Sequence, residues 1–107
     1  MTQHSGVLIH STYFKLSSPS EAVINQFIEA CKKYLSGHPG QKYFFVGPRD
    51  EDINRDVSDL NFDIAMTIIF KSVEDYNDYQ LDPKHQQFIK ETDVYPNTRR
   101  VFDSFAV

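Results

Sequence analysis

Phe62-Asp63-Ile64-Ala65-Met66-Thr67-Ile68-Ile69-Phe70 is the stretch on which the fold turns. Its β-branched and aromatic residues predict a strand. Side chains of a strand alternate between two faces. Phe62, Ile64, Met66, Ile68 and Phe70 fall on one face, and Ala65 and Ile69 join Asp63 and Thr67 on the other. A sheet covered on one side only carries polar residues on its free side. This strand is largely apolar on both.

Two other segments share that character. Val7 to Leu16 (VLIHSTYFKL) reads as a strand with Leu8, His10, Thr12, Phe14 and Leu16 on one face and Val7, Ile9 and Tyr13 on the other. Lys42 to Gly47 (KYFFVG) sets Tyr43 and Phe45 opposite Phe44 and Val46. Val101 to Val107 (VFDSFAV) reads as a closing strand.

Between the strands the period changes. Ser18 is the expected N-cap of a helix, with Pro19 in the first helical position and Glu21 completing a capping box. Val23, Ile24, Phe27, Ile28, Cys31, Tyr34 and Leu35 then recur at the spacing of one buried helix face. Gly37, Pro39 and Gly40 end it. Pro48 to Leu60 is polar and reads as a solvated loop, with a lid over a pocket mouth as the alternative. Ser72 caps a short helix bearing Tyr76 and Tyr79, and Asp82-Pro83 breaks it and restarts it through Phe88 and Ile89.

The order is β-α-β-β-α-β with the second helix in two parts. That is a ferredoxin-like α+β fold, a four-stranded antiparallel sheet with its helices on one face. The uncovered face measures roughly 19 by 17 Å, on the order of 300 Å², as much as a soluble monomer leaves exposed. An identical sheet across a two-fold axis is the simplest cover, so a homodimer through the helix-free face is expected. Lysine at Ile64 or Ile68 is expected to break that dimer or unfold the chain.

At 107 residues the chain has room for one domain, 1–107, with a core over about 7–105. Nine phenylalanines and six tyrosines point to a core or cavity lined with rings. Net charge is -4, and Lys32-Lys33 and Arg99-Arg100 are the only basic pairs, which argues against nucleic acid. Cys31 is the single cysteine, excluding an internal disulfide. The N-terminus through Gly6 lacks the form of a signal peptide, and no apolar run approaches the roughly 18 residues of a membrane span. A cytoplasmic protein without membrane attachment is the expectation. No P-loop, dinucleotide fingerprint, G-x-S-x-G or H-E-x-x-H motif is present, so neither a cofactor nor a metal is expected.

From about Val7 to Phe105 the chain resembles the stress-responsive A/B barrel family. The resemblance rests on His10-x-x-x-Phe14-Lys15, on Asp63 to Phe70, on Val101-Phe102-Asp103, and above all on Tyr79-x-x-x-Pro83-x-His85. The last is similar to the family's Tyr-x-x-His-Pro-x-His pattern, with Asp82 in place of its first histidine. The resemblance implies ferredoxin-like subunits that pair into a dimeric α/β barrel with an apolar cavity in each. It also implies cofactor-free chemistry of the kind seen in a plant cyclase of the family, whose catalytic tyrosine and histidine match Tyr79 and His85 and whose first-strand histidine matches His10. A further pocket histidine of that enzyme falls at Ile64, so its substrate is not carried over.

The residues themselves allow such chemistry. His85 falls in the first turn after Asp82-Pro83, where the helix's partial positive charge disfavours imidazolium and leaves a neutral proton acceptor. Tyr79 precedes it by one turn and can donate to a carbonyl oxygen. His10 sits among apolar neighbours, where a lone histidine is usually a satisfied core side chain; His4 and His38 lie in an end and a turn and need no function. The expected pocket joins His85, Tyr79 and His10 with Phe14, Ile64 and Phe88 and takes a small apolar or carbonyl ligand. Two functions fit: a lyase or cyclase working by acid–base chemistry on a small carbonyl compound, and a non-catalytic small-molecule-binding or stress-related dimer.

Overall fold

The structure, a computed structural model, describes residues 6–107. The expectation for His4 and most of the reading of the N-terminus lie outside the described residues. Seven elements follow in order: β1 (Leu8–Leu16), α1 (Glu21–Leu35), β2 (Gln41–Pro48), β3 (Ile64–Phe70), α2 (Val73–Leu81), α3 (Pro83–Thr92) and β4 (Asn97–Phe105). The four strands form one antiparallel sheet in the order β2-β3-β1-β4. The fold is ferredoxin-like, and the second helix is divided at Asp82.

Helices cover one face. The even-numbered residues of β1 and β3 point under them: Leu8, Phe14 and Leu16, with Ile64, Met66, Ile68 and Phe70, are all buried. Phe14, Phe27 and Phe88 meet edge to face or tilted at 4.8 to 6.3 Å and join β1, α1 and α3. Ile64 and Ile68 are 0% exposed within the single chain. Lysine there buries an unpaired charge against the helices, so its consequence is loss of the fold and not of an interface.

The other face carries the odd-numbered Ile9, Ser11 and Tyr13 of β1 beside Ile69, Thr67 and Ala65 of β3, and the even-numbered Arg100, Phe102 and Ser104 of β4. Tyr43, Phe45 and Phe102 stand 60%, 59% and 55% exposed there.

Four local readings need correction. The cap of α1 is Ser20, whose hydroxyl accepts from the Val23 amide at 3.2 Å, and Pro19 precedes the helix. Ser20 can cap because it is extended and sits directly before Glu21, whereas Ser18 lies too far upstream. Strand β4 begins at Asn97 and not at Val101, because Asn97 to Arg100 pair with Leu16 to Tyr13 of β1. An edge strand can carry polar side chains there, so hydrophobicity does not mark its start. His38 is buried rather than idle in a turn. Lastly, residues 49–63 are not simply solvated. They lie along the helix-free face: Phe62 meets Tyr13 at 5.1 Å, and Arg100 binds Asp59 at 2.9 Å and the Asn61 carbonyl at 3.3 Å.

Asp63 ties this segment to the sheet. Its carboxylate accepts from the Leu16 amide at 2.7 Å, and its own amide donates to the Phe14 carbonyl at 2.7 Å. Gly40 is the one glycine whose place is steric as well as conformational. Its φ is +84°, and a Cβ there would meet the Asp75 carboxyl carbon at 2.1 Å. Among the described residues no helix is long and apolar enough to cross a membrane.

Candidate functional site

The break between α2 and α3 positions two of the chemistry-bearing side chains. Asp82 is extended and caps α3, accepting from the Lys84 amide at 2.8 Å, and Pro83 occupies the first turn. His85 follows with its amide bonded to the Asp82 carbonyl at 3.0 Å. Upstream, Ser72 caps α2 by accepting from the Asp75 amide at 3.1 Å. That register turns Tyr79 inward, where it is 2% exposed.

Three histidine rings surround Tyr79. His85 meets it edge-on with centroids 4.9 Å apart, His38 edge-on at 5.0 Å and His10 at 6.3 Å. His38 also contacts the Tyr34 carbonyl through Nε2 at 2.7 Å, and its Nδ1 lies 3.9 Å from Asp82. It thereby links the end of α1 to the cap of α3 behind the tyrosine.

A cavity of about 150 Å³ opens on the helix side of the sheet, lined by His10, Tyr79 and His85 together with Phe14, Phe88 and Arg99. Ile64 does not line it and is packed in the core below. The loop of residues 49–63 contributes nothing to this cavity and cannot serve as its lid. That loop instead walls a larger cavity of about 590 Å³ on the opposite face, with Tyr13, Ile53, Phe62 and Phe102. Its charged residues are already engaged: Asp59 is held below the usual carboxylate range by the Asn61 amide and by Arg100. The smaller cavity holds the groups suited to proton transfer.

His85 is half-buried, and its Nδ1 is buried with no hydrogen-bond partner among the described residues. Its pKa is lowered first by burial, then by the charge of Arg99 and by His10 and His38, while the Asp82 carboxylate opposes the shift. The helix-start argument gives the same direction, but burial and Arg99 supply it. Burial pushes the Tyr79 phenol above its ordinary range, so it remains a neutral donor at pH 7. On β1, His10 is oriented by Asp103: Nδ1 donates to the carboxylate at 2.6 Å, and Nε2 lies 3.4 Å from the Thr12 hydroxyl.

Asp103, Arg99 and His38 are partners that sequence reasoning did not assign to the site. The signal for Asp103 was a carboxylate between Phe102 and Phe105 in the closing strand. Arg99 and His38 offered none, since both depend on which face their segment presents. Cys31 is fully buried and its thiol is pushed up to about 12 by desolvation, which makes it inert packing. Among the described residues no group of three or more His, Cys, Asp or Glu could hold a metal ion.

An antiparallel ferredoxin-like subunit with a histidine–tyrosine cavity under its helices defines the class. The chain belongs to the stress-responsive A/B barrel domain family, whose profile matches residues 8–106. Among the curated proteins, none matches it in sequence. Solved structures similar to it include a dimeric ferredoxin-like protein of unknown function from Thermobifida fusca, with 17% identity, coverage of 94% of this chain and 91% of that one, and a TM-score of 0.76. A Dabb family protein with a ferredoxin-like fold from Mesorhizobium loti is 21% identical, with coverage of 95% and 98% and a TM-score of 0.75. The hydroxynitrile lyase from Passiflora edulis is 22% identical, with coverage of 96% and 95% and a TM-score of 0.74. At these identities the likeness is one of fold.

Proposed function

We propose that the protein is a homodimer with a cofactor-free acid–base site that acts on a small carbonyl compound as a lyase or cyclase. The observation that carries this reading is the edge-on contact of Tyr79 with His85 on a cavity shared with His10, His85 having a buried nitrogen without a partner among the described residues. A neutral imidazole beside a neutral phenol is the pair such chemistry needs. In the cyclase direction His85 takes a proton from the carbon next to one carbonyl, and the electron pair of that C–H bond forms the new C–C bond to a second carbonyl carbon of the same compound. That carbonyl's π pair moves onto its oxygen, where the Tyr79 hydroxyl donates a hydrogen bond, and the imidazolium gives its proton to this oxygen to leave a hydroxyl. The lyase direction is the reverse, with the proton taken from the hydroxyl as the C–C bond breaks. His10, held by Asp103, lines the same space as a second polar contact. The similar fold of a hydroxynitrile lyase is in keeping with a reaction of this kind.

Dimerisation through the helix-free face is part of the proposal. It is supported by the exposed rings of Tyr43, Phe45 and Phe102 on that face and by the dimeric state of the Thermobifida fusca protein.

The test is turnover of a panel of small aldehydes, ketones, β-keto compounds and cyanohydrins. His85→Ala is expected to lower the rate by about 10² to 10⁴-fold with the circular dichroism spectrum unchanged, and Tyr79→Phe by less. If compounds bind in the cavity but none is turned over, the protein is a small-molecule binder. If His85→Ala leaves turnover intact, the acid–base assignment is wrong.

A further inference from the structure

Strand β4 supplies Arg99 to the cavity lining and the Asp103 carboxylate behind its His10 wall. Arg99, Val101 and Asp103 alternate onto the helix side, opposite Phe14, Thr12 and His10 of β1. Asp103 is engaged by His10. Arg99 has no such partner. Its guanidinium carbon lies 5.4 Å from the centroid of the buried Phe14 ring, and among the described residues no carboxylate comes within ion-pair distance of it. Arg99 is exposed yet lines the cavity, which places it at the rim.

The cavity is therefore bipolar. A carboxylate–histidine pair stands at one end and an unneutralised guanidinium stands about 13 Å further along the strand. A planar fork of donors over an apolar ring suits a carboxylate, which it can bind through two parallel hydrogen bonds. The partnerless Nδ1 of His85 is a second, independent mark of a group to be met by a ligand. Volume bounds the ligand's size: a cavity of this size accommodates a benzene ring, so about six to nine non-hydrogen atoms.

We propose that the cavity takes a small monocarboxylate whose other end carries a carbonyl or hydroxyl group, with the carboxylate on Arg99 and the reacting end beside His85 and Tyr79. The reacting end rests on the acid–base reading above; the carboxylate end does not. The same positive field that discourages a proton on His85 attracts the anion.

Benzoate and benzamide are the probes, alike in shape and unlike in charge. Each is titrated into the natural chain, Arg99→Gln and Arg99→Lys, with binding followed by NMR shifts of cavity side chains. Benzoate should bind the natural chain at least about tenfold more tightly than benzamide, as expected of a charge-assisted pair near the surface. Arg99→Gln should erase that preference, and Arg99→Lys should keep part of it. Equal binding of the two probes, an unchanged benzoate affinity in Arg99→Gln, or no cavity response to either probe overturns the proposal. Benzoate held through Arg99 by a chain that turns over no carbonyl compound would support this inference and sink the acid–base reading alone.

Discussion

The two faces of the sheet use similar residues to opposite ends. Under the helices, Phe14, Ile64, Ile68 and Phe70 are at most 1% exposed, and the cavity that Phe14 borders is small and holds histidines. On the other face, Tyr43 and Phe45 stack at 6.1 Å in the open, and the loop of residues 49–63 covers only the side towards Tyr13 and Phe102. The consecutive arginines of β4 divide between the faces: Arg99 serves the cavity, and Arg100 pins the loop through Asp59. Apolar character alone thus does not tell a core from a docking surface. What separates them is whether the chain itself supplies the cover.

That contrast is broken most severely at neighbouring positions of β3 and β2. Ile68→Lys places a charge in the closed core and should cost about 5 kcal/mol or more, enough to unfold the chain. Phe45→Lys, on the open face, should retain the far-UV circular dichroism of the natural chain while sedimenting as a monomer. Preserved folding in Ile68→Lys, or a dimer in Phe45→Lys, would collapse the distinction. A milder comparison follows in urea, with both variants made in the Phe45→Lys background. Phe14→Ala should lose about 3 to 5 kcal/mol, because it empties the contact with Phe27 and Phe88, whereas Phe102→Ala should lose only about 1 kcal/mol. The smallest effect belongs to Arg100→Gln. Its ion pair with Asp59 is exposed and worth about 0 to 1 kcal/mol, so its loss should be read in loop mobility by amide exchange and barely in the midpoint.

How much of this was legible in the residues follows the same divide. β1 and β3 announced themselves because they are rich in β-branched and aromatic residues, and α1 because Val23 to Leu35 keep one helical stripe. The Asp82-Pro83 break was equally plain, since proline cannot continue a helix. Register and facing were not. The polar start of β4 at Asn97 is set by pairing with Leu16, and a strand defined by its neighbour's backbone leaves no mark in its own hydrophobicity. For the same reason Asp103 could not be matched to His10, nor Arg99 to the cavity. The motif Tyr79-x-x-x-Pro83-x-His85 drew attention to two of the residues at the cavity, but His38, which backs Tyr79 from another element, lies in no motif. Ile64 was misassigned because a position one layer below a cavity and one on its wall share the same alternation.

The central claim is that burial and Arg99 keep His85 a neutral acceptor, and its ring can be titrated directly without knowing a substrate. The folded chain holds this proton less well than the unfolded chain. Stability from this group is therefore present above the unfolded pKa of about 6.5 and is lost as pH falls below it toward the depressed value. Imidazole NMR resonances, with His85 assigned by its disappearance in His85→Gln, should titrate below that ordinary value and move up towards it in Arg99→Gln. A His85 ring that titrates at or above about 6.5 in the natural chain would contradict the account.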